Sequence, residues 1–146
     1  MKFSCQESCG GQCCTMGWSQ AGAFVFLTKQ DQLKIQATYG ISLLDFANLG
    51  EFTSTRFAMY STRQWFLKGK DDHCYFFENG KCKIYGARPV QCQTFPYWPE
   101  NIVEGKWVDK VRSSCPGIDQ GEENGVGQWL LAQQLRADRE LAGNAV

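Results

Sequence analysis

A β-hairpin is predicted by the stretch Cys74-Tyr75-Phe76-Phe77-Glu78-Asn79-Gly80-Lys81-Cys82-Lys83-Ile84-Tyr85. Two runs rich in aromatic residues flank Asn79-Gly80, and this dipeptide favours the two-residue type I′ turn. With that turn, Phe77 faces Cys82 across the ladder. Side chains alternate along a strand, so Cys74 and Cys82 lie on opposite faces if the pairing continues to Cys74 opposite Tyr85. We therefore expect that Cys74 either precedes the paired strand or belongs to a different site from Cys82.

Eight cysteines stand out among the 146 residues, and they fall into two groups. The first group is Cys5, Cys9, Cys13 and Cys14, and the second is Cys74, Cys82, Cys92 and Cys115. A thiolate site needs several sulfur atoms within about 2.3 Å of one ion, and short spacings lower the entropy cost of gathering them. The clusters therefore predict metal binding. Consecutive side chains point in different directions, so the adjacent pair either serves two sites or faces one larger cluster.

The chemical context favours metal over disulfides. No apolar stretch precedes Cys5, so we expect no secretory signal and a cytoplasmic, reducing location. The alternative is an exported protein with four disulfides, whose pairing the sequence cannot choose because eight cysteines allow about 105 arrangements. Lys plus Arg and Asp plus Glu are both 15, so the net charge is zero. The chain therefore lacks the overall positive charge that would attract nucleic acid. No apolar run approaches the ~20 residues that a membrane-spanning helix needs. We expect a metal ion as partner, with no nucleic acid and no membrane.

The 59 residues between the two cysteine groups are interpreted mostly as helix. Thr28 with Asp31 forms a capping-box pattern that predicts a helix ending at Gly40. A second helix start is predicted at Ser42. A third helical segment is predicted over about residues 55–68, where the apolar periodicity is weaker.

The second half is predicted to alternate short elements with loops. Pro89 suits the start of a short helix, Gly105 centres a small hairpin, and residues 116–127 form a loop. A last helix runs over about 126–141 and is expected to bury Leu130, Leu131 and Leu135. We predict a small, partly irregular α+β fold with helices packed on the short cysteine-bearing hairpin region and stabilised by metal. Residues 1–118 form the cysteine-cluster metal-binding domain, and residues 119–146 add a loop and C-terminal helix packed on the same domain.

The motifs together resemble one family. The matching blocks are Phe3-x-Cys5 through Cys13-Cys14, Cys74-x-Phe76, Gly80-Lys81-Cys82-Lys83-Ile84-Tyr85, Arg88-Pro89-x-x-Cys92-x-x-Phe95-Pro96 and Cys115-Pro116-Gly117. They are similar to the YkgJ-like cysteine-cluster family (CxxCxxCC), described as zinc- or iron-chelating domains with eight cysteines. The resemblance implies that all eight cysteines belong to the metal-binding signature, and it implies no defined reaction. The spacing of Cys9 and Cys13 is wider than usual for the family, and Gln93 stands where a second Arg is common.

The metal and the function follow as hypotheses. Zn²⁺ is the first choice because eight thiolates divide into two closed sites, and iron or a [4Fe–4S] cluster is the alternative. Arg88 and His73 are candidates for contacts just outside the metal ligands, through charge and hydrogen bonding. We expect a metal-binding protein with a structural or metal-handling role. The alternatives are an iron–sulfur protein for electron transfer or redox sensing, and an accessory domain of a methyltransferase-like enzyme, since a related domain occurs in flagellin lysine methylases.

A binding module is favoured over an enzyme, and no catalytic residue is predicted. With His73 as the single histidine, no Ser/His/Asp or Cys/His nucleophilic set is expected unless His73 partners the neighbours of Cys74. No glycine-rich motif follows a predicted strand, as a nucleotide or methyl-donor site would require.

Overall fold

The structure is a computed structural model that describes residues 1–6, 9, 11, 13, 24–70, 73–123 and 125–146. In these ranges it combines helices with small antiparallel strand pairs, so the α+β class is confirmed. The α-helices are α1 (Lys29–Tyr39), α2 (Leu43–Phe46), α3 (Val90–Thr94), α4 (Asp109–Ser114) and α5 (Val126–Ala142). The strands are β1 (Ala47–Thr53), β2 (Ser61–Leu67), β3 (Gly69–Lys70), β4 (His73–Cys74), β5 (Phe77–Glu78), β6 (Lys81–Cys82), β7 (Ile102–Val103) and β8 (Lys106–Trp107). They pair as β1–β2, β3–β4, β5–β6 and β7–β8.

Helix α1 begins and ends as its sequence predicts. The backbone N–H of Asp31 donates to Thr28 Oγ1 at 3.1 Å, and the N–H of Thr28 donates back to Asp31 Oδ2 at 3.0 Å. This reciprocal capping box satisfies two N–H groups that the first helical turn leaves without partners. At the other end Gly40 adopts φ 63°, the left-handed conformation that glycine adopts at little cost. Gly105 likewise lies in the turn of the predicted small hairpin β7–β8.

The prediction of helix over residues 55–68 is wrong. That segment is a single 3-10 turn, Thr55–Phe57, followed by strand β2, which pairs with β1 from Ala47↔Leu67 to Thr53↔Ser61. The helix that starts at Ser42 is accordingly only the four residues of α2. Thr62 and Gln64 are fully buried while Ser61 and Arg63 are exposed, which is the period-two pattern of a strand. Cross-strand packing among β-branched and aromatic residues outweighs a weak helical period here.

The buried apolar residues form three clusters. The first contains Leu27, Ile35, Phe46, Ala47, Leu67, Cys74, Phe76 and Ile84. The second contains Tyr97, Trp107, Val111, Cys115 and Ile118. The third contains Phe26, Phe57 and Leu141. Two of the cysteines, Cys74 and Cys115, thus lie in different clusters.

Helix α5 exists at the predicted position, but its buried face differs. Leu135 is 40% exposed, and Leu130 and Leu131 are only half-buried. The buried positions are Gln134, Ala137, Asp138 and Leu141. The prediction followed apolar residues alone, whereas α5 buries polar side chains that hydrogen-bond to α3 and to the turn before β2. The domain boundary at residue 118 stays a prediction. Among the described residues, the helices are too short or too polar to traverse a lipid bilayer.

Candidate metal centre

Four cysteines from distant parts of the chain line one small pocket. Cys5, Cys9 and Cys13 come from the N-terminal segment, and Cys115 follows α4. The cavity has a volume of about 40 Å³. Pockets for organic ligands measure roughly 300–1,000 Å³, whereas one water needs about 10–15 Å³. The pocket is therefore large enough for a metal ion but too small for an organic substrate.

Backbone pairing brings the N-terminal segment to Cys115. Phe3 forms an antiparallel bridge with Ile118, and the N–H of Ser4 donates to the carbonyl of Gly117 at 3.1 Å. A side chain at Gly117 would not fit, because its Cβ would lie 2.5 Å from the carbonyl oxygen of Ser4. Cys115 itself is held at the end of α4 by its N–H, which donates to the carbonyl of Val111 at 2.9 Å. The motif Cys115-Pro116-Gly117 thus supplies a thiol and the close backbone approach beside it.

The cysteine hairpin has the predicted turn and register over its two-residue strands. Phe77 pairs with Cys82 in β5–β6, and Asn79 and Gly80 have φ 52° and 76°, the positive values that a type I′ turn needs. The ladder does not continue to Cys74 opposite Tyr85. Cys74 instead pairs with Gly69 in β3–β4. Of the two expectations, the first is confirmed: Cys74 precedes the paired strand.

Cys74 and Cys82 pack in the same apolar cluster, and Cys92 lies on α3. Cys74 is 6% exposed in the first apolar cluster, and Cys82 packs against the same cluster. Burial raises the pKa of Cys74 to about 11, and the charges of Cys82 and Cys13 also act to raise it. Burial also raises the pKa of Cys92, on α3, well above its usual value, with further contributions from Cys74, Cys13 and Cys82.

The pocket cysteines influence one another in the same manner. Desolvation, then the charges of Cys13 and Cys9, raise the pKa of Cys5. Desolvation, then Cys9, Cys5 and Cys13, raise the pKa of Cys115, against a backbone hydrogen bond from Gly117 that lowers it. The raised pKa values of Cys5 and Cys115 favour the neutral thiol at these two positions in the metal-free protein. A metal ion must therefore displace protons when it binds.

The donor set fits zinc or an iron centre in its chemistry. Thiolate sulfur is the ligand that zinc sites and iron–sulfur clusters share. Within the described ranges, no three Cys, His, Asp or Glu side chains are already arranged to hold an ion. Cys5, Cys74, Cys92 and Cys115 are free thiols, so the alternative of four disulfides does not describe this structure. Cys14, the eighth predicted ligand, lies outside the described residues.

Arg88 acts on the cysteines through its charge, whereas His73 contacts the backbone of Cys74. The positive charge of Arg88 acts to lower the pKa of both Cys5 and Cys92, which opposes burial. Its guanidinium stacks on the Tyr85 ring, with Cζ 4.0 Å from the ring centroid, and its Nε donates to the Tyr85 carbonyl. The Nδ1 atom of His73 lies 2.9 Å from the carbonyl oxygen of Cys74. Arg88 thus has an electrostatic influence on both cysteine groups.

Two residues that hold α3, and with it Cys92, were missed by the sequence analysis. Asp31 accepts a hydrogen bond from the N–H of Val90 at Oδ1, at 3.1 Å, in addition to capping α1. Gln91 donates to the carbonyl of Phe24 at 2.8 Å and accepts from the N–H of Phe26 at 3.0 Å. No local pattern marks these contacts, because they join segments 59 to 67 residues apart.

Comparison with known proteins identifies the family. No solved structure matches this chain. A family model described as "CxxCxxCC: Putative zinc- or iron-chelating domain" matches residues 4–116, which include all eight cysteines. This description supports a metal-binding role, with zinc or iron as the metal. The match covers more than half of the chain, and the protein therefore belongs to the CxxCxxCC family of zinc- or iron-chelating domains.

Proposed function

We propose that the chain binds zinc or iron through the thiolates of its clustered cysteines, and that the bound metal has a structural or metal-handling role. The convergence of Cys5, Cys9, Cys13 and Cys115 on one pocket of about 40 Å³ carries this proposal. Four sulfur donors are the number that a closed tetrahedral zinc site uses. All eight cysteines are candidate ligands, and Cys14 enters on the family match alone.

A structural role follows from the location of the pocket. Its thiols belong to the N-terminal segment and to the loop after α4. Among the described residues, backbone hydrogen bonds join these two segments at residues 2–4 and 117–119. A bound ion adds a cross-link between these segments, and metal-binding free energy that exists only in the folded state adds to folding stability. Arg88 stabilises the negative charge that four thiolates around a divalent ion would carry.

Zinc stands first and an iron–sulfur cluster second. Phe3 and Phe95 line the pocket beside the thiols, and such apolar cover suits either centre. We therefore keep the iron–sulfur alternative, with electron transfer or redox sensing as its function. No contact in the described residues favours an accessory role in methyl transfer over these two, so that hypothesis rests only on the resemblance to methylase-associated domains.

The test compares two alanine variants at adjacent positions of the pocket. Cys115→Ala removes a thiol, whereas Ser114→Ala changes a pocket-lining residue whose hydroxyl donates to the Lys110 carbonyl at 2.8 Å. After anaerobic purification, we expect elemental analysis to find zinc or iron in the wild type and in Ser114→Ala, and less metal in Cys115→Ala. Colourless zinc-loaded protein selects zinc, and iron with acid-labile sulfide selects the cluster. Equal metal content in all three proteins would refute the pocket as the binding site.

A further inference from the structure

We propose that the outer edge of β1 (Ala47–Thr53) joins two copies of this chain in a two-fold symmetric dimer, in which β1 of one copy pairs antiparallel with β1 of the other. The inference goes beyond the proposed metal binding and makes no use of the thiols. A two-fold contact brings the same surface of both copies together, and a free sheet edge is a common place for a further strand to add.

The hydrogen bonds of β2 show which of its residues face β1. Along a strand, successive residues direct their backbone N–H and C=O groups to opposite sides. The N–H of Leu67 donates to the Val25 carbonyl at 3.0 Å. The N–H of Arg63 likewise donates to the Asn144 carbonyl at 2.9 Å. The odd-numbered residues of β2 thus bond away from β1, so its even-numbered residues face β1.

The register carries this alternation to β1. Gly50 pairs with Gln64, and the other pairs likewise join even to even and odd to odd. The odd-numbered residues Leu49, Glu51 and Thr53 therefore direct their backbone groups away from β2. In the part of the chain that the structure describes, β1 pairs with β2 alone, and no residue bonds to the backbone of these three on the outer side.

Strand β1 lacks the features that usually keep a sheet edge from pairing. Natural edge strands are often very short, interrupted by a bulge, or marked by Lys or Pro. β1 has seven residues, and its register with β2 is continuous from Ala47↔Leu67 to Thr53↔Ser61. Its sequence contains neither Lys nor Pro, and Glu51 is its one charged residue. The edge is therefore a ready template for another strand.

The apolar side chains on β1 favour a second copy as the occupant. Leu49 is 49% exposed and lies opposite Trp65 in the β1–β2 ladder. If Leu49 also lies opposite Leu49 of the second copy, a continuous apolar row crosses the two-fold axis and ends at Trp65 in each copy. Apolar cross-strand pairs stabilise a sheet, so this register covers an exposed leucine on both sides.

The charges favour the same register. Glu51 then lies opposite Ala47 of the second copy, and its carboxylate stays beside Arg63 of its own chain, at 3.8 Å. A register with Glu51 opposite itself would place two like charges directly across the interface, which destabilises a sheet. The N–H of Ala47 already donates to the Leu43 carbonyl. The N–H groups of Leu49 and Glu51 are therefore the donors that each copy contributes.

Sedimentation velocity of the full chain over a wide concentration range tests the dimer, with a reductant present to prevent disulfides between chains. An edge-to-edge contact is small beside the ~1,200–2,000 Å² of stable interfaces, so we expect a shift from monomer to dimer as the concentration rises. Leu49→Lys places two positive charges opposite each other and should keep the chain monomeric. The matched control is Leu33→Lys, because Leu33 is 53% exposed on α1 rather than on β1. This variant should dimerise like the wild type.

Two results of this experiment would overturn the proposal. One is a dimer that Leu49→Lys leaves unchanged, because the contact would then lie elsewhere. The other is a wild type that stays monomeric at every concentration, in which case an extended segment of another protein becomes the candidate occupant of the edge.

Amide hydrogen exchange of the wild type, resolved by residue, requires no variant. We expect the amides of Leu49 and Glu51 to exchange more slowly at high concentration than at low concentration, because they gain acceptors in the second copy. The amides of Gly50 and Phe52 face β2 and should exchange at the same rate at both concentrations. Rates at Leu49 and Glu51 that do not depend on concentration would contradict the pairing.

Discussion

Replacing Asp138 by alanine should destabilise the metal-free protein by about 3–5 kcal/mol. Asp138 Oδ1 accepts hydrogen bonds from Arg56 Nη2 at 2.8 Å, Arg56 Nε at 3.2 Å and Gln134 Nε2 at 2.9 Å. The side chains of Arg56 and Asp138 are 14% and 8% exposed. Removing one member of a buried ion pair costs about 3–5 kcal/mol because the other charge stays buried without compensation. That is a large part of a typical total stability of about 5–15 kcal/mol.

The remaining contacts of Arg56 are too weak to replace the carboxylate. Its Nη1 donates to Gln91 Oε1 at 3.1 Å, and its guanidinium lies 5.2 Å from the centroid of the Phe26 ring. Both partners are neutral. If both charges are removed in Arg56→Leu/Asp138→Leu, no charge is left buried, and we expect a smaller loss than in Asp138→Ala.

Urea denaturation followed by circular dichroism gives the free energies of unfolding and the m-values. The control is Arg63→Ala, which removes a surface pair with Glu51 at 3.8 Å in which both side chains are more than half exposed. It should change stability by no more than about 1 kcal/mol. A loss below about 1 kcal/mol in Asp138→Ala, or a double variant as unstable as the single one, would contradict the reasoning.

Three further changes probe the elements that carry the cysteines. Gly80→Ala should cost about 1–2 kcal/mol in thermal unfolding, because φ 76° disfavours a side chain although nothing lies within 4 Å of the added Cβ; an unchanged Tm would mean a different turn. Asp31→Ala should cost about 2–4 kcal/mol in urea, since it removes a cap and leaves the Val90 N–H without its acceptor; a loss like that of a surface variant would contradict this. Burial raises the pKa of Cys74 from 9.0 to about 11, so its neutral thiol stabilises the apo fold below pH 9 and that contribution disappears as the pH rises towards 11. Apo Cys74→Val should therefore lose less stability than the wild type between pH 9 and 11, and identical pH profiles would refute the burial of that thiol.

The elements that the sequence predicted correctly have local signals. Thr28 and Asp31 cap α1 by contacts three residues apart, and Asn79-Gly80 needs only its own backbone preference to form a turn. The β7–β8 hairpin and the presence of α5 follow in the same way from Gly105 and from a long periodic segment.

The incorrect predictions concern contacts between distant residues. The apolar periodicity predicts a helix where the structure has β2. The pairing of β2 with β1 depends on cross-strand contacts such as Phe52 with Thr62, and a local apolar period does not reveal such contacts. Leu135 was expected inside, but the buried side of α5 is decided by Gln134, whose amide oxygen accepts from Thr94 Oγ1 at 2.6 Å. The spacing of the cysteines identifies all eight as candidate ligands, whereas no spacing predicts that Cys74 and Cys115 lie in different apolar clusters.

X-ray absorption at the metal edge of the anaerobically purified wild-type protein tests the central claim most directly, because it reports the atoms bound to the metal. Thiolate ligation predicts a first shell of sulfur, at about 2.3 Å if the metal is zinc. A first shell made only of nitrogen or oxygen at about 2.0–2.2 Å would contradict ligation by the cysteine clusters.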